Sequence, residues 1–180
     1  EKVQVRVWGY HQFKNNIVLD IDVGYLSRLS ASMQAGYNTL KKNDLWLAPK
    51  AGFSVGDYNS IGVGIFFKLN KKKTFILQNV QYNFGLTSKN KDIFFWFSEV
   101  AYGPHFLEGG FISEFAYKYK PLGDKIEAQK EWLIGPSLRG TYKNFYLEGF
   151  WGLEPLLPKG ALKEKSKLVF TLGFKFTECK

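Results

Sequence analysis

Apolar and polar side chains alternate along almost the whole chain. Near its end, Leu168, Phe170, Leu172, Phe174 and Phe176 alternate with Val169, Thr171, Gly173 and Lys175. A period of two sends the large apolar groups to one face of a strand and the small or polar groups to the other. The pattern recurs upstream. Ile17, Leu19, Ile21 and Val23 oppose Val18, Asp20, Asp22 and Gly24, and Ile61, Val63, Ile65, Phe67 and Leu69 oppose Gly62, Gly64, Phe66 and Lys68. Phe145, Leu147, Gly149, Trp151 and Leu153 oppose Tyr146, Glu148, Phe150, Gly152 and Glu154. Polar breaks at Lys41 to Asp44, Asp57 to Ser60, Lys71 to Lys73 and Lys143-Asn144 punctuate the runs. Eleven candidate strands result, with no helical periodicity, and their even spacing predicts one all-β domain over residues 1–180.

The two faces differ in kind. Across the strands the apolar face holds Val, Ile, Leu, Phe, Tyr, Trp, Ala and Met with a few neutral polar groups such as Gln78, Ser98 and Ser113, and no charge. Tyr37, Tyr102, Tyr119 and Tyr142 fall near strand ends on that face, together with Trp96, Trp132, Trp151, Phe174 and Phe176. The opposite face carries the bases Arg6, Lys50, Lys68, Lys118, Arg139 and Lys175 and the acids Asp20, Asp22, Glu99, Glu114, Glu148 and Glu154. A ligand-enclosing soluble barrel has the reverse arrangement. Hydrocarbon solvates only a structure whose backbone groups are all paired internally, which a closed barrel supplies. The pattern therefore predicts an antiparallel up-and-down transmembrane β-barrel, aromatics toward lipid and charges toward the lumen. A two-layer soluble sandwich, with one apolar face per sheet, is the competing architecture.

Composition adjusts this picture only slightly. Aromatic residues make up 18% of the chain, which argues against disorder. No apolar run reaches the roughly eighteen residues of a spanning helix, but an alternating barrel strand never would. Cys179 is the single cysteine, and with His11 and His105 the only histidines no metal site or cofactor is expected. The chain opens at Glu1-Lys2 directly into alternation, which reads as a mature exported form or a chain that never carried a signal peptide. The formal charge of +9 comes largely from lysines at reversals, including 41–42, 71–73, 89, 91, 125, 130, 159, 163, 165 and 167. Solvated loop tips, or contacts to lipid phosphates at a membrane rim, account for these. Without aromatics interleaved in one basic groove, nucleic acid is not an expected partner.

The alternate aromatics of the last strand resemble the C-terminal signal strand of bacterial outer-membrane β-barrels, although residues 177–180 follow Phe176. Within the first forty residues, V-Q-V-R-V-W-G-Y, a short loop, a second strand, a tight turn and L-S-A-S-M resemble the small twelve-stranded oligosaccharide porins. Those channels carry an excess of pore arginine; only Arg6 and Arg139 stand on the lumen face here, so selectivity for anionic sugars does not carry over. Single-chain barrels of this class have even strand counts. The expectation is therefore ten or twelve strands, twelve preferred, with the miscounted one between Gly103 and Glu131. Pro49 and Pro136 fall inside strands, where each lacks a ladder donor, and are expected to mark bulges or strand ends.

The functional expectation is a bacterial outer-membrane protein in contact with lipid or lipopolysaccharide, forming a narrow passive channel for small solutes. Small lumen residues (Gly24, Gly36, Gly52, Gly62, Gly64, Ser30, Ser32, Ser54) leave room for such a path. The alternative is a closed structural or surface-interaction barrel, because balanced interior charges tend to pair. A third class, a lipid-modifying enzyme at the rim, would use His11 or His105; His105 has Glu99 and Glu108 near it in sequence, but neither histidine stands in an H-x-S pattern.

Overall fold

In a computed structural model the described residues are 2–25, 29–56, 59–87, 92–104, 106–122, 125–154 and 166–175. Side chains of 2–4, 25, 29, 118–122, 125–130, 166 and 174–175 lie outside the description.

Eleven strands close into one barrel: β1 (Lys2–Gln12), β2 (Ile17–Tyr25), β3 (Leu29–Tyr37), β4 (Leu45–Gly56), β5 (Ser60–Lys71), β6 (Thr74–Gly85), β7 (Asp92–Tyr102), β8 (Leu107–Leu122), β9 (Lys125–Tyr142), β10 (Phe145–Leu153) and β11 (Ser166–Lys175). Each pairs with its sequence neighbours in antiparallel register, and β1 closes on β11. The closing pair is parallel, Lys2 opposite Lys167 and Tyr10 opposite Lys175. That seam corrects the expected count of ten or twelve. An odd number of alternating strands necessarily brings the first and last together pointing the same way, and parallel ladders pair every residue as antiparallel ones do. The sandwich is excluded as well, since the sheet has no free edge.

Among the described residues no extra strand lies between Gly103 and Glu131. The charged stretch that reads as a break is instead the far end of the two longest strands, β8 and β9, which pair down to Leu122 opposite Lys125. Pairing of β8 with β7 stops at Tyr119 opposite Asp92. The hairpin therefore extends past its neighbour on that side.

The prolines interrupt the ladder on one side only. Beside Pro49, pairing of β3 with β4 ends at Gly36 opposite Lys50, while Pro49 still faces Ile65 of β5. Beside Pro136, pairing of β9 with β10 skips from Ser137–Phe150 to Ile134–Leu153, while Pro136 still faces Phe111 of β8. Each proline turns its missing N–H toward the strand that has let go.

The connections β1–β2, β3–β4, β5–β6, β7–β8 and β9–β10 gather at one end, here called the turn end. Tight reversals there place Asn16, Lys41, Lys72 and Lys143 at positive φ. Asn38, fully buried, ties down the β3–β4 turn: its Nδ2 donates to Gln12 Oε1 at 3.0 Å and to the Lys42 carbonyl at 2.8 Å, and its Oδ1 accepts from the Leu40 and Leu47 amides.

One glycine has a specific packing task. Gly173 of β11 sits opposite Tyr146 of β10, and a Cβ there would overlap the Tyr146 ring. Gly173→Ala is expected to cost about 1–3 kcal/mol by forcing the ring off its seat. Gly140→Ala, where an added Cβ meets nothing, should fall within about 0.5 kcal/mol. Urea unfolding midpoints of the two variants test the contrast.

Candidate functional site

Closure turns the charge-bearing face inward and the apolar face outward. Val5, Val7, Met33, Leu47, Phe53, Val63, Ile65, Val80, Leu138, Leu147, Phe170 and Leu172 are exposed on the outside, Ile65 by 53%. Among described side chains, outward positions bear Asp, Glu, Lys or Arg only at strand termini, as at Lys71 and Asp92. Trp96, Tyr37, Tyr102, Tyr142 and Trp151 are exposed on this surface and Trp132 is half-buried on it. Tyr102, Tyr142, Phe106 and Phe145 crowd the turn end, where the Lys143 ammonium lies 5.3 Å from the Tyr142 ring centroid. The side chains of Tyr119 and Phe174, and Phe176 altogether, lie outside the described residues.

The neutral polar groups on the outer face bond to one another. Gln78 Nε2 donates to Ser98 Oγ at 2.6 Å, Trp96 Nε1 donates to Gln78 Oε1 at 2.9 Å, and Trp132 Nε1 donates to Ser113 Oγ at 3.0 Å. In water such groups need no protein partner; in hydrocarbon each unpaired one is costly.

The interior has two unlike halves. Toward the turn end it is filled. Tyr10, Val18, Trp46, Ala48, Phe66, Phe75, Leu77 and Ala101 form one buried cluster, and Ile112, Phe150 and Val169 a second, with Phe97 packed against both. The rings meet edge to face, Tyr10 and Trp46 at 5.5 Å and 88°. The Lys68 ammonium lies 3.6 Å from the Trp46 centroid and 4.7 Å from that of Tyr10.

Arg139 of β9 stands among three carboxylates in this filled half. Its Nη2 is 2.6 and 2.7 Å from the two oxygens of Glu99 and 3.2 Å from Glu148 Oε1, and its Nη1 is 3.8 Å from Glu108 Oε2. Its guanidinium also stacks 4.5 Å from Phe75 and 4.8 Å from Tyr146. Glu99 has no exposed surface at all.

The other half holds a cavity of about 350 Å³ that reaches the ends of the strands opposite the turns. Arg6 grips Asp22 with three contacts of 2.5–2.9 Å. Asp20 accepts from Trp8 Nε1 at 2.6 Å and from Lys50 Nζ at 2.6 Å. Lys167 lies 4.0 Å from Glu114. Between these pairs the wall is built of amides and hydroxyls, Gln34, Asn79, Gln81, Asn83, Ser30, Ser32 and Ser54, with Phe95, Phe97 and Trp8 as its aromatic part. Gln81 Nε2 donates to Asn83 Oδ1.

Of the expected lumen residues, Arg6, Asp20, Asp22, Lys50, Lys68, Glu99, Glu114, Arg139 and Glu148 lie inside the barrel, in one half or the other. Glu154 follows β10 and is half-buried, and the side chains of Lys118 and Lys175 lie outside the described residues. Glu108 was missed because 103–110 reads as a loop, whereas β8 begins at Leu107. Lys167, expected at a reversal, lines the cavity instead. His11 is on the outer face with its ring 4.5 Å from Phe13, and His105 lies outside the described residues. Among the described residues no group of acidic, histidine or cysteine side chains could hold a metal ion.

The class these features define is a closed all-β barrel of eleven strands with an apolar exterior and an ionic interior. Compared with known families and curated proteins, the chain matches no family model and no curated sequence.

Proposed function

We propose that the chain is an integral barrel of a bacterial outer membrane, its apolar outside in lipid, with a solute-sized vestibule toward the end opposite the turns and a packed floor toward the turn end. The observation that carries the membrane reading is the pairing of Gln78, Ser98 and Ser113 with each other or with outward tryptophans on a surface otherwise free of charge between strand termini. A water-facing wall has no reason to pair its polar side chains while keeping its ionic ones enclosed. The purified chain is expected to require detergent and to migrate faster on a gel unheated than boiled. A chain that stays monomeric without detergent overturns the reading.

Between the two interiors expected from sequence, an open channel and a closed salt-bridged barrel, the packing favours the closed one. Phe66, Phe75, Leu77 and Glu99 leave almost no accessible surface across the filled half. In planar bilayers the wild-type chain is expected to give no current steps above baseline. A Trp46→Ala/Phe66→Ala variant, which empties the floor beside Lys68, should give them. Steps from the wild type would instead establish the channel, with the vestibule as its mouth.

A further inference from the structure

Away from strand ends, the described outward side chains are apolar or aromatic except at three positions, Gln78, Ser98 and Ser113. Those three are not scattered. Gln78 of β6 stands directly opposite Ser98 of β7, and Ser98 directly opposite Ser113 of β8, so they form one row across three adjacent strands. Apolar rows flank it, Val80 opposite Trp96 on one side and Ile76, Val100 and Phe111 on the other.

The row meets only part of its own hydrogen-bonding capacity. Gln78 Nε2 gives one of its two N–H groups to Ser98, and the Ser98 and Ser113 oxygens each accept a single bond, from Gln78 and from Trp132. Among the described residues nothing receives the second Gln78 N–H or either serine O–H. Lipid tails accept no hydrogen bond, so these donors are left for another protein surface to meet. The row carries acceptors as well as donors, which makes it complementary to itself. Two convex barrels touch along a strip only a few strands wide, and three strands spaced by about 4.8 Å make a row about 10 Å across.

We propose that this row is the centre of a contact between two copies of the chain, related by a two-fold axis along the membrane normal beside Ser98. The two-fold reverses the row, so Gln78 of each copy meets Ser113 of the other and the two Ser98 hydroxyls meet each other. The second Gln78 N–H then donates to a Ser113 oxygen, the Ser113 O–H to a Gln78 oxygen, and one Ser98 to the other. Trp96, Val100 and Phe111, all exposed on the single barrel, pack around these bonds. Side-chain hydrogen bonds between spanning segments help hold them together in lipid. The inference rests on the membrane reading and adds the partner of one stretch of the outer wall.

The test uses the full chain folded into lipid vesicles at a low ratio of protein to lipid. In a Cys179→Ala background, Ser98→Cys should give a disulfide-linked dimer with a membrane-permeant oxidant. Val7→Cys, exposed on β1 across the ring from β7, should give none. Energy transfer between two labelled populations should reveal dimers of the wild-type chain, and Gln78→Leu/Ser98→Ala/Ser113→Ala should raise their dissociation constant about tenfold or more. The triple variant must keep the wild-type heat-modifiable gel mobility, so that loss of the dimer is not loss of the fold. No energy transfer in the wild type, equal crosslinking from both faces, or an unchanged dissociation constant in the triple variant overturns the proposal. So does a Ser98→Cys crosslink in native membranes to a protein other than this chain. A chain that stays monomeric in vesicles yet requires detergent and remains heat-modifiable refutes the contact and leaves the membrane barrel standing.

Discussion

Arg139→Met is expected to lower the stability of the folded barrel by about 3–5 kcal/mol, the usual cost of removing one partner from a buried ionic cluster. The guanidinium is within 3.2 Å of both Glu99 and Glu148 and within 3.8 Å of Glu108. Without it three carboxyl groups face one another in a region with almost no water-facing surface, where mutual repulsion and desolvation add. Methionine retains much of the contact with Phe75 and Tyr146, so the loss reports charge and not volume. The triple variant Arg139→Met/Glu99→Gln/Glu148→Gln, which removes the charges on both sides, should recover most of the loss. Urea unfolding of detergent-folded protein, followed by gel mobility, measures both. A single variant costing under about 1 kcal/mol would mean that the carboxylates reach water, as a solvated surface cluster does.

Ile65→Arg is expected to cost about 2–4 kcal/mol in a lipid bilayer, and Tyr142→Arg at the turn-end rim only about 0–1 kcal/mol. Ile65 lies midway along β5 and points outward, 53% exposed, whereas Tyr142 closes β9 beside the Lys143 turn at 73%. In water the order vanishes. An exposed isoleucine on a soluble barrel exchanges for arginine within about 0.5 kcal/mol, wherever it stands along the strand. The depth gradient, measured by unfolding from lipid vesicles, therefore separates the membrane reading from any aqueous one. A flat response at both positions ends it.

Which face of each strand points inward could be read from the sequence because period-two alternation follows from strand geometry alone. Asp20, Lys50, Glu99, Arg139 and Glu148 all took the side their parity assigned. Parity says nothing about height along the barrel axis, and there the sequence was silent. Gly24, Ser30, Ser32 and Ser54 suggested a wall trimmed along its whole length, yet they gather around the vestibule. Tyr10, Trp46, Phe66, Phe75 and Tyr146 share the inward parity but stack at the opposite end. Their level depends on the stagger between neighbouring strands, which is set by pairings across the whole sheet.

The strand count failed for a different reason. Eleven runs were visible, and the even-number habit of a resembling class displaced them, because one parallel seam leaves no mark in local alternation. The span of β8 and β9 was hidden by Lys125, Glu127, Lys130 and Glu131, whose charges within residues 121–131 read as a loop although both strands run through them. Glu108 was hidden with them, one residue inside a strand whose start carries the loop-like Gly109-Gly110 pair.

The parallel seam also fixes sidedness. Since β1 and β11 run in the same direction, a tag placed ahead of β1 and another placed behind β11 leave opposite ends of the barrel, and in the membrane orientation proposed above they would sit in different compartments. An impermeant protease added to intact cells should reach one of them and spare the other, so a single cylinder of this kind can present a binding peptide to the surroundings while being held from within.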